Sequence, residues 1–299
     1  MRASIHCLGI AVLVVSLSSA AMSAWGGPKT QLPENPNDLV REAVQHELKA
    51  GTAQDDTYLS WKQRTVKPNR TIVRKMVETP DGILARVISI NDRPLTPDEL
   101  KKEEARLNRL LDPSQMSQKR KEQKEDENRT RKVVSALPDA FLYQYDGTEE
   151  KNGHTLVNLK FTPNPNFSPP SREALVLQGM QGVVIVDATA KRIVKIDGTM
   201  MRDVSIGWGI IGRLNKGGRF VVDQAPVEDN RWAITHMVLN FTGKALIFKS
   251  IRIDSVDTAS DFKKVPKLSV SQALEMLKKS DTPQPQNGGG AVADKQQVF

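Results

Sequence analysis

Cysteine is almost missing from this chain: one residue in 299, Cys7, which sits inside an apolar run close to the N-terminus. Past that run there is no disulfide framework, no cysteine-ligated metal and no thiol nucleophile to consider. Histidine is nearly as scarce, with four residues, of which His46, His154 and His236 stand far apart in the sequence. The stretch His46-Glu47-Leu48-Lys49-Ala50 starts like the zinc motif H-E-x-x-H but ends on alanine, so the second imidazole one helical turn away is missing. The reading is therefore of a chain with no metal and no cofactor. Aromatic residues make up only 5% of the sequence and few accompany the basic ones, which argues against nucleic acid as a partner. Beyond residues 5–17 no apolar run approaches the roughly 18 residues that a membrane-spanning helix needs.

Glycine is present, and one stretch places it suggestively. Gly207-Trp208-Gly209-Ile210-Ile211-Gly212 has the G-x-G-x-x-G spacing that lets a backbone approach a dinucleotide pyrophosphate. That use requires a strand before the glycines and a helix after them. Here Arg213-Leu214-Asn215-Lys216-Gly217-Gly218 has the composition of a turn, and Arg219-Phe220-Val221-Val222 is strand-like. The glycines are expected to serve curvature, bulges or close packing in a sheet.

The N-terminus carries an export signal. Arg2 precedes the apolar run, and small residues follow from Ser18 to Ala24, with Ala21, Ser23 and Ala24 all suitable for cleavage. Residues 1–24 are expected to be a signal peptide, and a chain without disulfides fits a bacterial periplasm. Removing Arg2, the only charged residue there, lowers the formal net charge from +8 to +7. That balance favours anionic surfaces, including a membrane leaflet. The basic residues are nevertheless interleaved with acids, as in Lys119-Arg120-Lys121-Glu122 and Lys124-Glu125-Asp126-Glu127, the pattern of a solvated face.

Asn35-Pro36-Asn37-Asp38 opens a helix through Leu39, Ala43, Val44 and Leu48. Strands over 58–66, 71–78 and 83–90 form a meander. Thr96-Pro97-Asp98-Glu99 caps a helix with Leu100, Leu107, Leu110 and Leu111 on one face. Between Pro113 and Thr130 the apolar stripe fades, leaving a solvated helix, a mobile lid or a disordered excursion, of which the mobile form is preferred. Strands are then expected over 141–145, 155–161, 182–187, 192–200, 204–211, 219–227, 232–241 and 245–256, with a helix over 171–178 and turns at Glu150-Lys151-Asn152-Gly153 and Thr242-Gly243-Lys244. A short helix over 270–277 precedes a tail, 281–299, expected to be disordered. Eleven strands with short connections and no β-α-β alternation imply a mainly β, α+β, largely antiparallel fold.

Catalytic signatures are incomplete. Ser260-Asp261-Phe262-Lys263 fits S-x-x-K without its usual partner motifs, so a serine hydrolase on Ser260 and Lys263 is a minor reading. What stands out is apolar alternation. Val157, Leu159 and Phe161 share one strand face, as do Phe220 and Val222, and Trp232, Ile234 and Val238 are expected to share another. With Trp61 from the first meander, these nine residues are the candidate lining of an apolar ligand cavity, unless the helices simply seal them as core.

The order of elements, from the N-terminal helix and meander through "INDRPLTPDELKKEEARLNRLL" to "GRLNKGGRFVVDQAPVEDNRWAITHMVLNF", resembles the bacterial outer-membrane lipoprotein-sorting superfamily of LolA, LolB and RseB-like proteins. The resemblance covers about residues 36–265. It implies one domain over 25–280, a curved, open half-barrel of about eleven strands under a helical lid, with a charged insertion at about 97–133. It further implies a non-enzymatic periplasmic protein that carries or senses lipoprotein acyl chains or another amphiphile. The alternative is an envelope protein-interaction or stress-sensing module without a ligand cavity.

Overall fold

In a computed structural model, residues 31–50, 57–206, 212–228, 231–245 and 249–279 are described. The expected signal peptide, the tail and Gly207–Ile211 of the glycine motif lie outside them. Helix α1 (Pro36–Ala50) leads into strands β1 (Tyr58–Lys67), β2 (Arg70–Thr79), β3 (Gly82–Ile90) and the two-residue β4 (Arg93–Pro94). Helices α2 (Pro97–Arg109) and α3 (Pro113–Ala140) follow, then β5 (Phe141–Lys151) and β6 (His154–Pro163). A 3-10 helix (Glu173–Gly179) precedes β7 (Met180–Asp187), β8 (Arg192–Met200), β9 (Val204–Ile206), β10 (Gly212–Leu214), β11 (Arg219–Pro226), β12 (Trp232–Ala245), β13 (Lys249–Val265) and α4 (Val270–Lys279).

Every pairing in the sheet is antiparallel, in the order β4-β3-β2-β1-β13-β12-β11-β8-β7-β6-β5, with β9 and β10 attached through β12. Ten of the eleven expected strands lie on the main path; the described part of the other, expected over 204–211, is β9, and the short β4 and β10 are additions. The sheet is curved and open, because its end strands β4 and β5 do not pair with each other. Its centre is made by the longest-range contact: β1 pairs with β13, Thr65 opposite Asp257.

Cross-strand partners share a face, so the register defines two faces. On one, called the α1 face, Val157, Leu159 and Phe161 of β6 stand beside Val186, Val184 and Gly182 of β7. Leu39, Val40, Ala43 and Val44 of α1 and Ala136, Leu137 and Ala140 of α3 bury them. On the opposite face at the other end, Val77, Leu84 and Val265 are covered by Leu107 of α2, Met116 of α3 and Ala273, Leu274 and Leu277 of α4. Each side chain of that size contributes about 1.5–3 kcal/mol on burial, so each helix is held by its own patch of sheet.

Three features depart from the sequence reading, and residues 114–130 take the helical form that it allowed. Residues 114–130 belong to one 28-residue helix capped by Asp112, which accepts from the Ser114 N–H at 2.8 Å. Its long unbranched side chains favour a helix even without an apolar stripe, Gln118 bonds Glu122 one turn on, and Met116 and Leu137 are buried near its two ends. Thr242-Gly243-Lys244 is strand, not turn: a Cβ on Gly243 would lie 2.2 Å from the Arg213 carbonyl oxygen, so this glycine permits the close approach of β10. The expected helix over 171–178 is a 3-10 turn. Leu111 lies past the end of α2 and is 50% exposed.

Candidate binding face

The helices pack on the two ends of the sheet, which leaves the α1 face of β12, β13, β1 and β2 as the candidate site. Three of the nine candidate residues, Val157, Leu159 and Phe161, are buried beneath α1 and α3, with Phe161 4.5 Å from the Phe141 ring. They are core. Val222 is buried and Phe220 half-buried on the same face, opposite Ile196 and Gly198 of β8.

The three β12 residues do not share a face. Asp223 pairs with His236 and Gln224 with Ile234, so Thr235 is an extra residue that shifts the register. Across that bulge the alternation inverts. Trp232 and Ile234 fall on the α1 face, while Val238, opposite Val221 and Val256, points to the other side. Sequence alternation alone could not reveal this, because the bulge depends on the partner strand.

A second bulge, at Asp261 with φ 56°, sets Phe262 against Trp61, and their rings stack with centroids 6.0 Å apart. Trp61 pairs with Met76 of β2. Trp61, Phe262, Met76, Trp232 and Ile234 thus lie on one open strip; Ile234 is 49% exposed and the others are half-buried. Phe262 and Met76 were not among the sequence candidates, since Met76 falls in a strand with an unremarkable pattern and Phe262 needed the bulge.

Ion pairs border the strip. Arg231 donates to both carboxylate oxygens of Glu78, at 2.7 and 2.8 Å, and to the Thr57 carbonyl. On the opposite side Arg192 donates to Glu47 of α1 at 2.8 Å, each side chain 13% exposed, and its guanidinium lies 5.4 Å from the Trp232 ring centroid. Burial pushes the Glu47 carboxyl above the ordinary range, although Arg192, the Ile193 N–H and Gln224 all act the other way. The glutamate of the broken zinc motif is therefore structural, and His46 beside it is exposed.

The remaining signatures do not assemble a reactive centre on this face. Ser260 and Lys263 are exposed on β13, on opposite sides of the Asp261 bulge and opposite Lys62 and Ser60 on the other face of the sheet. His154 and His236 each meet one carboxylate, Asp187 at 2.7 Å and Asp223 at 2.8 Å. Among the described residues no three metal-ligating side chains converge. Two grooves, of about 650 and 480 Å³, lie elsewhere, beside α4 and β2 and between α3 and the start of α4. No helix among the described residues is long and apolar enough to cross a membrane.

Solved structures resemble this chain at low identity, three of them as follows. One is an outer membrane lipoprotein-sorting protein domain from Vibrio parahaemolyticus, at 12% identity and TM-score 0.30, covering 79% of this chain and 97% of that one. Another is a DUF1329 family protein from Desulfovibrio piger ATCC 29098, at 13% identity and TM-score 0.29, covering 79% and 95%. The third is LolA superfamily protein NE2245 from Nitrosomonas europaea, at 11% identity and TM-score 0.27, covering 80% and 97%. No family model and no curated protein matches.

Proposed function

We propose that this is a non-enzymatic binding protein of the bacterial periplasm that holds an amphiphilic ligand, such as the acyl chain of a lipid-modified protein, on the strip from Trp61 to Trp232. The observation that carries the reading is Ile234, a branched apolar side chain left 49% exposed on the same face as the half-buried Trp232 two residues before it, on a sheet face that α1 and α3 seal at its β6–β7 end. Apolar surface kept open in this way gains free energy when an acyl chain covers it, about 25 cal/mol for each Å² removed from water. Sequence order supports the same reading through its resemblance to lipoprotein-sorting proteins, and the basic balance of the chain favours approach to an anionic leaflet.

A second reading, a protein partner laying its own apolar segment on the strip, is favoured by the openness of the face. The two are separated by binding of a hydrophobic fluorescent probe and its displacement by a triacylated lipopeptide. The acyl reading expects about one equivalent of probe, displaced by lipopeptide and weakened about ten-fold or more by Ile234→Arg, which places a charge where an acyl chain would lie. An Ile234→Arg protein that folds and binds the probe like wild type would remove the strip as the site. Probe binding insensitive to lipopeptide would favour the protein partner.

A further inference from the structure

Arg74 stands on the α1 face with no ion-pair partner among the described residues. It lies on β2 between Ile72 and Met76, facing the same way, opposite Gln63 of β1 and Val87 of β3. Its Nη1 donates to Thr65 Oγ1 at 3.3 Å. The nearby carboxylate, Asp257, is linked to it only through that hydroxyl: its Oδ1 accepts from Thr65 at 2.6 Å and from Gln63 at 3.3 Å. No carboxylate among the described residues lies within ion-pairing distance of Arg74, whereas Arg106, whose charge acts on it, is paired with Glu103.

A half-buried guanidinium with a single neutral acceptor is held in an unfavourable state. Burial pushes Arg74 below the ordinary arginine range; Asp257 and Glu103 oppose that shift, and the Arg106 and Arg70 guanidinium groups add to it. A desolvated cation of this kind is stabilised by an anion that brings two oxygens to its free nitrogens, and the planar fork suits phosphate or carboxylate. Met76, the next residue on the same face, opens directly onto the apolar strip.

Resting on the binding face proposed above, we propose that Arg74 receives the anionic headgroup of the amphiphile, a phosphate or carboxylate, while the strip from Met76 to Ile234 takes the acyl chain. The charge sits within one strand residue of the apolar surface, the arrangement that an amphiphile's own polarity requires. It also sets a preference among ligands of equal chain length.

The test titrates the protein with dodecyl phosphate, dodecyl maltoside and inorganic phosphate, all below micelle-forming concentrations. Wild type is expected to prefer dodecyl phosphate over the maltoside by about ten-fold, the scale of one charge-assisted pair. Arg74→Gln should abolish that preference and leave maltoside binding unchanged, and Arg74→Lys, which keeps the charge without the fork, should restore part of it. Equal affinity of wild type for the two detergents, or an undiminished preference in Arg74→Gln, overturns the headgroup role while the binding face stands. Inorganic phosphate bound as tightly as dodecyl phosphate would also overturn it, since the anion site would then be independent of the strip. If no amphiphile binds, the binding face itself falls.

Discussion

Glu99 joins two structural tasks. Its carboxylate accepts from the Thr96 N–H at 2.8 Å, closing a capping box at the start of α2, and takes two bonds from Arg93, at 2.7 and 3.0 Å. Chiefly the Arg93 bonds, then that backbone N–H, hold its carboxyl down at about 2. A carboxyl depressed on folding contributes stability above its unfolded value, near 4.5, and loses it as pH falls towards 2. Urea midpoints of wild type and Glu99→Gln should therefore differ at pH 7 and converge between pH 4.5 and 2. A gap that stays constant over that range would show that the ionised form has no special role. At the same scale, Ile234→Arg should fold with stability within about 0.5 kcal/mol of wild type, because the substituted side chain is half in water already.

At the scale of elements, the part of the β3 edge that β4 does not reach is closed by side chains. Val87 N–H donates to Glu103 at 2.8 Å, the Ala85 carbonyl accepts from Arg106, and Gln123 of α3 both accepts from Ile83 N–H, at 3.2 Å, and donates to its carbonyl, at 2.9 Å. Three alternate residues of an edge strand are thereby satisfied, which protects the sheet from pairing with a second chain. Although burial opposes it, the Arg106 and Val87 bonds hold the Glu103 carboxyl below the ordinary range. Glu103→Ala leaves Arg106 and Val87 without their partner and should cost about 3 kcal/mol, with concentration-dependent association visible by light scattering. A loss under about 1 kcal/mol with a monodisperse protein would mean that α2 closes the edge without the ion pair. Helix α3 makes a different prediction. From Lys124 to Lys132 every residue is exposed, so limited trypsin should cut there before it cuts within β11 or β12. Early fragments ending inside β12 would contradict this order.

For the whole molecule, the decisive joint is between the first meander and the last strand. β1 finds β13 across most of the chain, and α4, which follows β13, then covers Val77 and Leu84 of β2 and β3. A chain ending at Lys267 keeps every strand but loses Leu274 and Leu277, both fully buried. It should be less stable by at least about 3 kcal/mol, the burial of two leucines, in urea unfolding. Unchanged stability would mean that α4 is not part of the folded core.

The sequence by itself determined the elements. Alternation placed nearly every strand, Thr96 and Glu99 marked the start of α2, and the missing β-α-β order removed the nucleotide reading of Gly207 to Gly212. These signals are local, because they depend on side-chain periodicity and on caps that bond within a few residues. Only the tertiary structure decided which alternating residues are core and which are surface. Val157 and Trp232 have the same local pattern, yet one is sealed beneath α1 and the other borders an open strip. The bulge at Thr235 turned Val238 away from Ile234, and the one at Asp261 brought Phe262 to Trp61. Arg74 reads as an ordinary polar strand residue until the structure shows that its one side-chain hydrogen bond goes to the neutral Thr65. Facing, covering and pairing are properties of residues distant in sequence, and one extra residue in a strand reverses them.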